Sequence, residues 1–570
     1  MLRKLEETQE LFRFGERSGS TESTPRGRPS LHFDSASERS KRRKVIKLRS
    51  STSLEELSVA TSMELRATGD NAAAKIVKEV TTTTPTRGKR MLSKWRAKDV
   101  PRRQLSEEEA VSLIVTAQLT KSQYLFIRET AKFHGHDIYP NYERVKKAKK
   151  VAYPEGITIE EEKCEVDLQS LLNHTASRII SFIVQSGKEI SASTCKLICK
   201  WGFDGSSGHS RYKQTWQTSN VKDDSLFATS LVPLQLLDSA SGEYIWSNPH
   251  PSSARFCRPI RIQWIQETKE ISKAEENYVR DQINNLQLAS VGNVVVKFEL
   301  LLTMIDGKVC SALTETSCMR CYLCGARISD MNNLNKIKKM KVDESKFSFG
   351  LSILHCYIRF FECLLHISYR LDIKMWKVKS ADGSKIAMER RKKIVQNGFR
   401  SRMGLIVDLP KPGFGTTNDG NTARRFFANP ALSAEISGIS EDLITRFSVI
   451  LRAVSTGIRV NDKTFSAYCL KTAKSYVKLY PWFHMPQTIH KVLLHGAEIV
   501  KNAILPIGQL SEEALEARHK DIRRYREKHT RKVSRIATNY DLFHRLLLTS
   551  DPFISCLGAP GHWDLTRCAL

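Results

Sequence analysis

Between Cys195 and Met319 the apolar pattern changes to that of strands, and this change constrains the fold more than any other feature of the chain. Thr194 to Phe203 is β-prone and ends at Asp204-Gly205. Ser225 to Leu237, Phe256 to Ile265 and Asn293 to Asp306 follow, with a charged helix from about Ser272 to Leu288 before the last. Strands grouped first and helices dominating afterwards predict an α+β, mixed architecture, a sheet covered by helices. The stretch from Phe347 to His495 is predominantly helical and too long for a loop, so it is expected to form a domain of its own.

A chain of 570 residues exceeds what one hydrophobic core supports, so roughly three or four units are expected. Lys and Arg number 90 against 61 Asp and Glu, a net charge of +29 that makes a polyanion, nucleic acid first, the default partner. The most apolar long stretch, Phe347 to Leu371, contains His355, Arg359, Glu362 and His366, so no membrane span is expected. The opening MLRKLEETQELFRF carries acids where a secretion signal needs an apolar core. Thirteen unevenly spaced cysteines suit reduced thiols, some bound to metal, better than a disulfide framework.

Residues 1–95, rich in Ser, Thr, Arg and Glu with few aromatics, read as a disordered basic tail. Within it Lys41-Arg42-Arg43-Lys44, with Lys47 and Arg49, has the form of a nuclear-import or phosphate-binding cluster. Arg26 and Arg28 in Pro25-Arg26-Gly27-Arg28-Pro29 have the form of a minor-groove hook, with an inert tail the alternative. From Ser106 the pattern is helical: Ser106-Glu107-Glu108-Glu109 opens one helix, Ser122 to Phe133 a second, and Lys146, Lys147, Lys149 and Lys150 edge a third. That edge is either a solvated face or a contact to a DNA backbone.

Asp204 and Asp306 each follow an expected strand and precede a glycine, in Trp201-Gly202-Phe203-Asp204-Gly205-Ser206-Ser207-Gly208 and Met304-Ile305-Asp306-Gly307. Carboxylates on strand ends of one sheet can meet in space and hold hard divalent cations for phosphoryl transfer, with the glycines admitting a polyphosphate; Asp-Gly is also a common turn. Cys321 and Cys324 in Cys318-Met319-Arg320-Cys321-Tyr322-Leu323-Cys324-Gly325 form a Cys-x-x-Cys-Gly knuckle that presents two thiolates to one tetrahedral cation. His490 and His495 supply two imidazoles five residues apart, which a regular helix would splay, so a helix distortion is implied if they act together. Two unrelated local pairs remain the alternative. The helix opened by Ser511-Glu512-Glu513 carries Glu513 and Glu516 one turn apart, in reach of a metal, and a basic side suited to phosphates; a solvated charged face is again the alternative.

Taken in order, these pieces resemble Transib-type transposases and the related catalytic core of the V(D)J recombinase, over about residues 105–550. The resemblance implies a ribonuclease H-like fold in which Asp204, Glu267 (in Cys257-Arg258-Pro259 to Gln266-Glu267), Asp306 and Glu516 bind two Mg²⁺ or Mn²⁺ ions. It implies one structural Zn²⁺ on Cys321, Cys324, His490 and His495; the net charge of +29 and the basic helix after Glu516 make Arg523, Arg524 and Arg526 the expected DNA contacts. Asn418-Asp419-Gly420-Asn421-Thr422-Ala423-Arg424-Arg425 resembles the family's Asn-Gly-Asn-x-Ala-Arg segment. Leu354-His355-Cys356 matches a family Leu-His-Cys, but Tyr357 follows where an acid is familiar.

The resulting expectation is a homodimeric nuclear cut-and-paste enzyme that nicks double-stranded DNA at element ends, forms hairpinned flanks and transfers 3′-hydroxyl ends. A derived nuclear DNA-binding protein without cleavage is the alternative, and a chromatin or RNA-binding scaffold a further one. The expected division is a tail at 1–95, a helical DNA-binding or dimerisation region at 96–194 and the first part of the catalytic core at 195–316. A zinc-stapled helical insertion at 317–505, a core helix and C-terminal region at 506–550 and a second tail at 551–570 complete it.

Overall fold

The computed structural model describes residues 32–98, 104–209, 214, 223–317, 319–378, 383–411 and 415–558, so the arginine hook at 25–29 and Cys318 lie outside the described residues. The chain divides into two compact units, residues 1–102 and 103–570. In the first, helices cover Glu38–Ser51, Leu54–Ala67, Asn71–Thr82 and Pro85–Lys98, which corrects the expectation of disorder over most of residues 1–95. These helices rest on local signals: Ser53 and Glu56 form a reciprocal capping box, and Asp70 accepts from the Ala73 N–H. Composition had pointed to the lack of a core, and in this unit Ala36, Ser62 and Ala74 alone are buried among the described residues. The Lys41–Arg49 cluster lies on the first of these helices.

The second unit is built on one mixed sheet of β1 (Ile157–Ile159), β2 (Lys163–Val166), β3 (Thr194–Ser207), β4 (Ser225–Asp238), β5 (Tyr244–Ser247), β6 (Arg258–Gln263), β7 (Ala289–Val291) and β8 (Val294–Leu302). Its order is β1-β2-β6-β4-β3-β8-β7, with β5 beside β4; β3 and β8 run parallel and every other pair antiparallel. β3 and β4 are buried along most of their length, which accounts for their near-continuous apolar runs. Helix Leu168–Gln185, capped by Asp167, turns Leu168, Leu171, Leu172, Ile179 and Ile183 inward at helical spacing.

Several expected boundaries move. β3 does not end at Asp204-Gly205: Asp204 pairs with Ala228 and Gly205 with Phe227, so ladder bonds to β4 carry the strand to Ser207. β1 and β2 join the sheet through β6, so residues 96–194 are not a separate helical region. The expected C-terminal tail begins with a buried helix, Pro552–Leu557, behind Asp551, whose carboxylate meets Arg178 at 2.8 Å. The helical section 317–505 does form, but its buried Phe360, Phe447 and Tyr476 belong to one apolar core with Phe203 and Ile262 of the sheet. Among the described residues no helix is long and apolar enough to cross a membrane.

Candidate functional site

Asp204 stands on β3 between two glycines, each of which makes room for a neighbour. A Cβ on Gly202 would lie 2.1 Å from the Met304 carbonyl oxygen. That close approach lets the Thr303 and Met304 N–H groups donate to the Trp201 carbonyl at 3.2 and 3.1 Å, drawing the chain beyond β8 against β3. Asp306 then caps helix Gly307–Leu313, its carboxylate accepting from the Val309 N–H at 2.7 Å. A Cβ on Gly205 would lie 2.7 Å from both the Cβ and a carboxylate oxygen of Glu267, which accepts from the Gly205 N–H at 3.2 Å. Both glycines therefore admit protein groups, not the polyphosphate expected of them.

Glu516 arrives on helix Glu513–Lys528, and one ligand atom each of Asp204, Glu516 and His519 lie within 4.8 Å of one another. Burial, together with the charges of Glu516, Asp306 and Glu267, pushes the Asp204 carboxyl well above its ordinary range. Burial likewise raises Glu516. Against this negative charge stands Lys308, 3.2 Å from Glu267. Clustered carboxylates that repel one another's ionisation suit a hard cation, and their oxygens are the donors it requires. The site opens on a cleft lined by Asp306, Lys308, His355, Arg359, Trp376 and Gln487.

Two buried groups seat the Glu516 helix. Lys200, four residues before Asp204 on β3, donates to the carbonyls of Gln509 and Ser511 at 2.8 and 2.6 Å, and burial lowers its ammonium to about 7. Helix Ile353–Tyr369 has no side-chain cap from its own N-terminal residue. Glu512 supplies it from afar, accepting from the Ile353 and His355 N–H groups at 2.9 and 3.2 Å and from Ser352 Oγ, with His355 Nδ1 at 3.1 Å. Burial alone would raise Glu512, but the bonds from His355 and Ser352 outweigh it and hold the carboxyl below its ordinary range.

Glu513, for which both reach to a metal and a solvated face were open, pairs with Arg424, whose guanidinium lies 4.8 Å from the Tyr357 ring centroid. Tyr357 thus serves as a platform for this arginine. Sequence reasoning missed His519, although Glu516-x-x-His519 places both on one helix face, a pattern seen in helical metal sites. It also missed Lys200 and Glu512, for which no local signal exists.

Cys321, Cys324, His490 and His495 come together although 166 residues separate the nearest members of the two pairs, with all four ligand atoms within 4.8 Å and all four residues buried. The implied distortion is present: Lys491–His495 is a π-helical turn, whose i to i+5 hydrogen bonding widens the turn and brings His490 and His495 toward one side. Their Nε2 atoms lie 3.2 Å apart, and Cys324 Sγ lies 3.4 Å from His490 Nε2. The edge of a tetrahedron around a cation with metal–nitrogen bonds of ~2.0 Å is about 3.3 Å, so these donors have the spacing of a closed four-coordinate site. The Cys321 thiol is held far below its ordinary range by hydrogen bonding from Cys324, His490 and His495, against the effect of burial.

The basic face after Glu516 is only partly available. Arg526 is 2% exposed, 3.1 Å from Asp223, with its guanidinium 4.1 Å from the Trp264 ring centroid, so its expected role in contacting DNA is corrected to a structural one. Arg523 donates to the Ser207 carbonyl at 3.0 Å and Arg524 pairs with Asp521 at 2.7 Å, both half-buried. Because a broken buried ion pair leaves a charge uncompensated, Arg526→Ala is expected to cost about 3 kcal/mol of stability. Denaturant unfolding checks this, and a variant as stable as the wild type would contradict it.

No protein-family model matches the chain, and no curated protein matches its sequence. Among solved structures it is similar to a chain of the Drosophila P element transposase strand transfer complex, at 8% identity and a TM-score of 0.29, covering 83% of this chain and 100% of that one. At that level of likeness neither a shared fold nor a shared activity follows.

Proposed function

We propose that this protein is a DNA endonuclease and strand transferase of the Transib and V(D)J recombinase kind, with a ribonuclease H-like core. The observation that carries the reading is the gathering of Asp204, Glu267, Asp306 and Glu516, from four distant positions, at β3, an inner strand of a mixed sheet. Two Mg²⁺ or Mn²⁺ ions, when bound, supply Lewis-acid stabilisation for the attacking and leaving oxygens of a phosphodiester. The four carboxylates would hold them, and the cleft beside Asp306, with Lys308 and Arg359 on its walls, would orient the backbone.

Water attacks one phosphodiester, the P–O3′ bond breaks, and a 3′-hydroxyl and a 5′-phosphate remain. That 3′-hydroxyl then attacks the phosphodiester of the opposite strand, whose P–O3′ bond breaks, so the flank closes as a hairpin and the element end is left with a 3′-hydroxyl that can attack target DNA. No covalent protein intermediate is required. Cys321, Cys324, His490 and His495 would hold a structural Zn²⁺, since thiolates with imidazoles suit that ion. The net charge of +29 supports double-stranded DNA as partner. Because two DNA ends must be held together, a homodimer acting in the nucleus is proposed.

The test selects bound duplexes from random DNA and incubates them with full-length protein and Mg²⁺ or Mn²⁺. Metal-dependent nicks ending in 3′-hydroxyls are expected; tight binding without cutting in either metal would replace this reading with that of a DNA-binding protein. Gly205→Ala is expected to slow nicking about 100-fold while the melting temperature changes little, because the added methyl displaces Glu267 within its site. Parallel rate and melting measurements would show it, and unchanged nicking would remove Glu267 from the catalytic set.

A further inference from the structure

Four carboxylates are an oxygen-only donor set, and such a set distinguishes little among divalent cations of similar size. The site in this protein contains something else. His519 is 5% exposed, and its Nδ1 stands 3.5 Å from Asp204 Oδ2. Its Nε2 is buried without a hydrogen-bond partner among the described residues. A buried polar nitrogen left unsatisfied costs free energy, and the ring's other nitrogen, Nδ1, faces the Asp204 carboxylate that a cation would share. One ligand atom from each of Asp204, Glu516 and His519 lies within 4.8 Å of the others; bonds of about 2.1 Å reach donors up to about 4.2 Å apart, so a small closing movement of these side chains seats a single ion.

The placement is built rather than incidental. His519 follows Glu516 by three residues on helix Glu513–Lys528, so the two side chains leave the helix on one face. The same helix is seated against β3 through Lys200, which fixes its height over Asp204. Neighbouring groups on the helix are otherwise engaged: Glu513 with Arg424, Arg518 with the Cys257 carbonyl, and Arg523 with the Ser207 carbonyl. Among the described residues His519 has no such structural partner beyond Asp204 itself.

We infer that His519 is a nitrogen ligand to the cation shared by Asp204 and Glu516, and that this nitrogen biases the position toward Mn²⁺ over Mg²⁺. Mg²⁺ demands oxygen donors in near-ideal octahedral geometry and gives up its waters reluctantly, whereas imidazole binds the first-row transition ions well. The inference rests on the carboxylates being a metal site, as proposed above, and adds the ligand that sets the choice of metal.

The experiment uses the zinc-loaded full-length protein, so that His490 and His495 are occupied. Mn²⁺ and Mg²⁺ affinities are measured by titration calorimetry, and pulsed electron paramagnetic resonance of bound Mn²⁺ is recorded on protein with ¹⁴N- or ¹⁵N-histidine. The wild type is expected to show an isotope-sensitive histidine nitrogen coupling. In His519→Asn the coupling disappears, and Mn²⁺ affinity falls at least about tenfold, since losing even an outer partner of a ligand costs that much. Mg²⁺ affinity changes much less.

Mn²⁺ bound without nitrogen coupling in the wild type, or an unchanged Mn²⁺ to Mg²⁺ ratio in a folded His519→Asn variant, overturns the inference and leaves the carboxylate site standing. Failure of Asp204→Asn to weaken Mn²⁺ binding overturns the carboxylate site, and the inference with it. Should His519→Asn fail to fold, the isotope-labelled wild-type spectrum alone decides.

Discussion

Asp204→Asn and Asp306→Asn are each expected to lower DNA nicking at least about 1,000-fold, ~4 kcal/mol of barrier, while duplex binding at the same salt stays within a factor of a few. Each substitution removes one carboxylate charge from a site where Asp204 already resists ionisation because of burial and the charges of Glu516, Asp306 and Glu267. The loss therefore falls on cation affinity and leaves the basic surface untouched. The two variants should differ in stability. Without metal, Asp204→Asn relieves repulsion and is expected to melt no lower than the wild type near neutral pH. Asp306→Asn weakens the cap on helix Gly307–Leu313 and is expected to cost about 0.5 to 1 kcal/mol.

The stability signature has a sign that can be checked. A carboxyl whose folded pKa is raised stabilises the folded state below its ordinary value, and that contribution is lost as pH rises through the folded pKa. Metal-free wild type should therefore lose stability as pH rises from about 4 through the raised value of Asp204, and Asp204→Asn should lose less over the same window. Near wild-type nicking by Asp306→Asn would remove the two-metal reading.

Cys324→Ala or His495→Ala is expected to release one zinc per chain and lower the melting temperature by about 10 °C or more, because a closed four-ligand site contributes its binding energy to folding. The four ligands tie the chain just after helix Gly307–Leu313 to the π-helical turn that leads on to Glu516. Nicking should consequently fall with zinc although all four ligands are buried. Cys318→Ala is expected to be much milder, since Cys321 and Cys324 already complete the set with the histidines. Metal analysis of the purified protein and thermal unfolding of the variants provide the check. A wild type without zinc, or a Cys324→Ala variant that melts like it, would contradict the prediction.

Each kind of information about the site came from a different level of structure. Spacing along the chain was enough to single out Cys321 with Cys324 and His490 with His495, because ligand pairs on a knuckle and on one side of a helix are set by local backbone geometry. Whether the pairs meet was not local, and the structure brings them together across the packed helical section. Asp204-Gly205 reads locally as a turn, since that pair favours turns; the ladder to Ala228 and Phe227 on β4 makes it strand. Arg526 reads as a surface charge in a basic helix, and only the packing of Trp264 and Asp223 against it puts it inside.

By itself the sequence determined the period of its elements, the types of ligand it carries, the excess of positive charge and the scarcity of aromatic residues in its first ninety. These are properties of composition and of neighbours a few residues apart, where geometry is nearly fixed by the peptide chain. The tertiary structure decided that β1, β2 and the helix at Pro552–Leu557 belong to the same body as the sheet, and that Gly202 and Gly205 exist to admit Met304 and Glu267. It also decided that Lys200 and Glu512 seat the Glu516 helix and that His519 faces Asp204. Contacts between residues hundreds of positions apart depend on how whole faces pack, and no local pattern of residues encodes which distant backbone a buried side chain will meet.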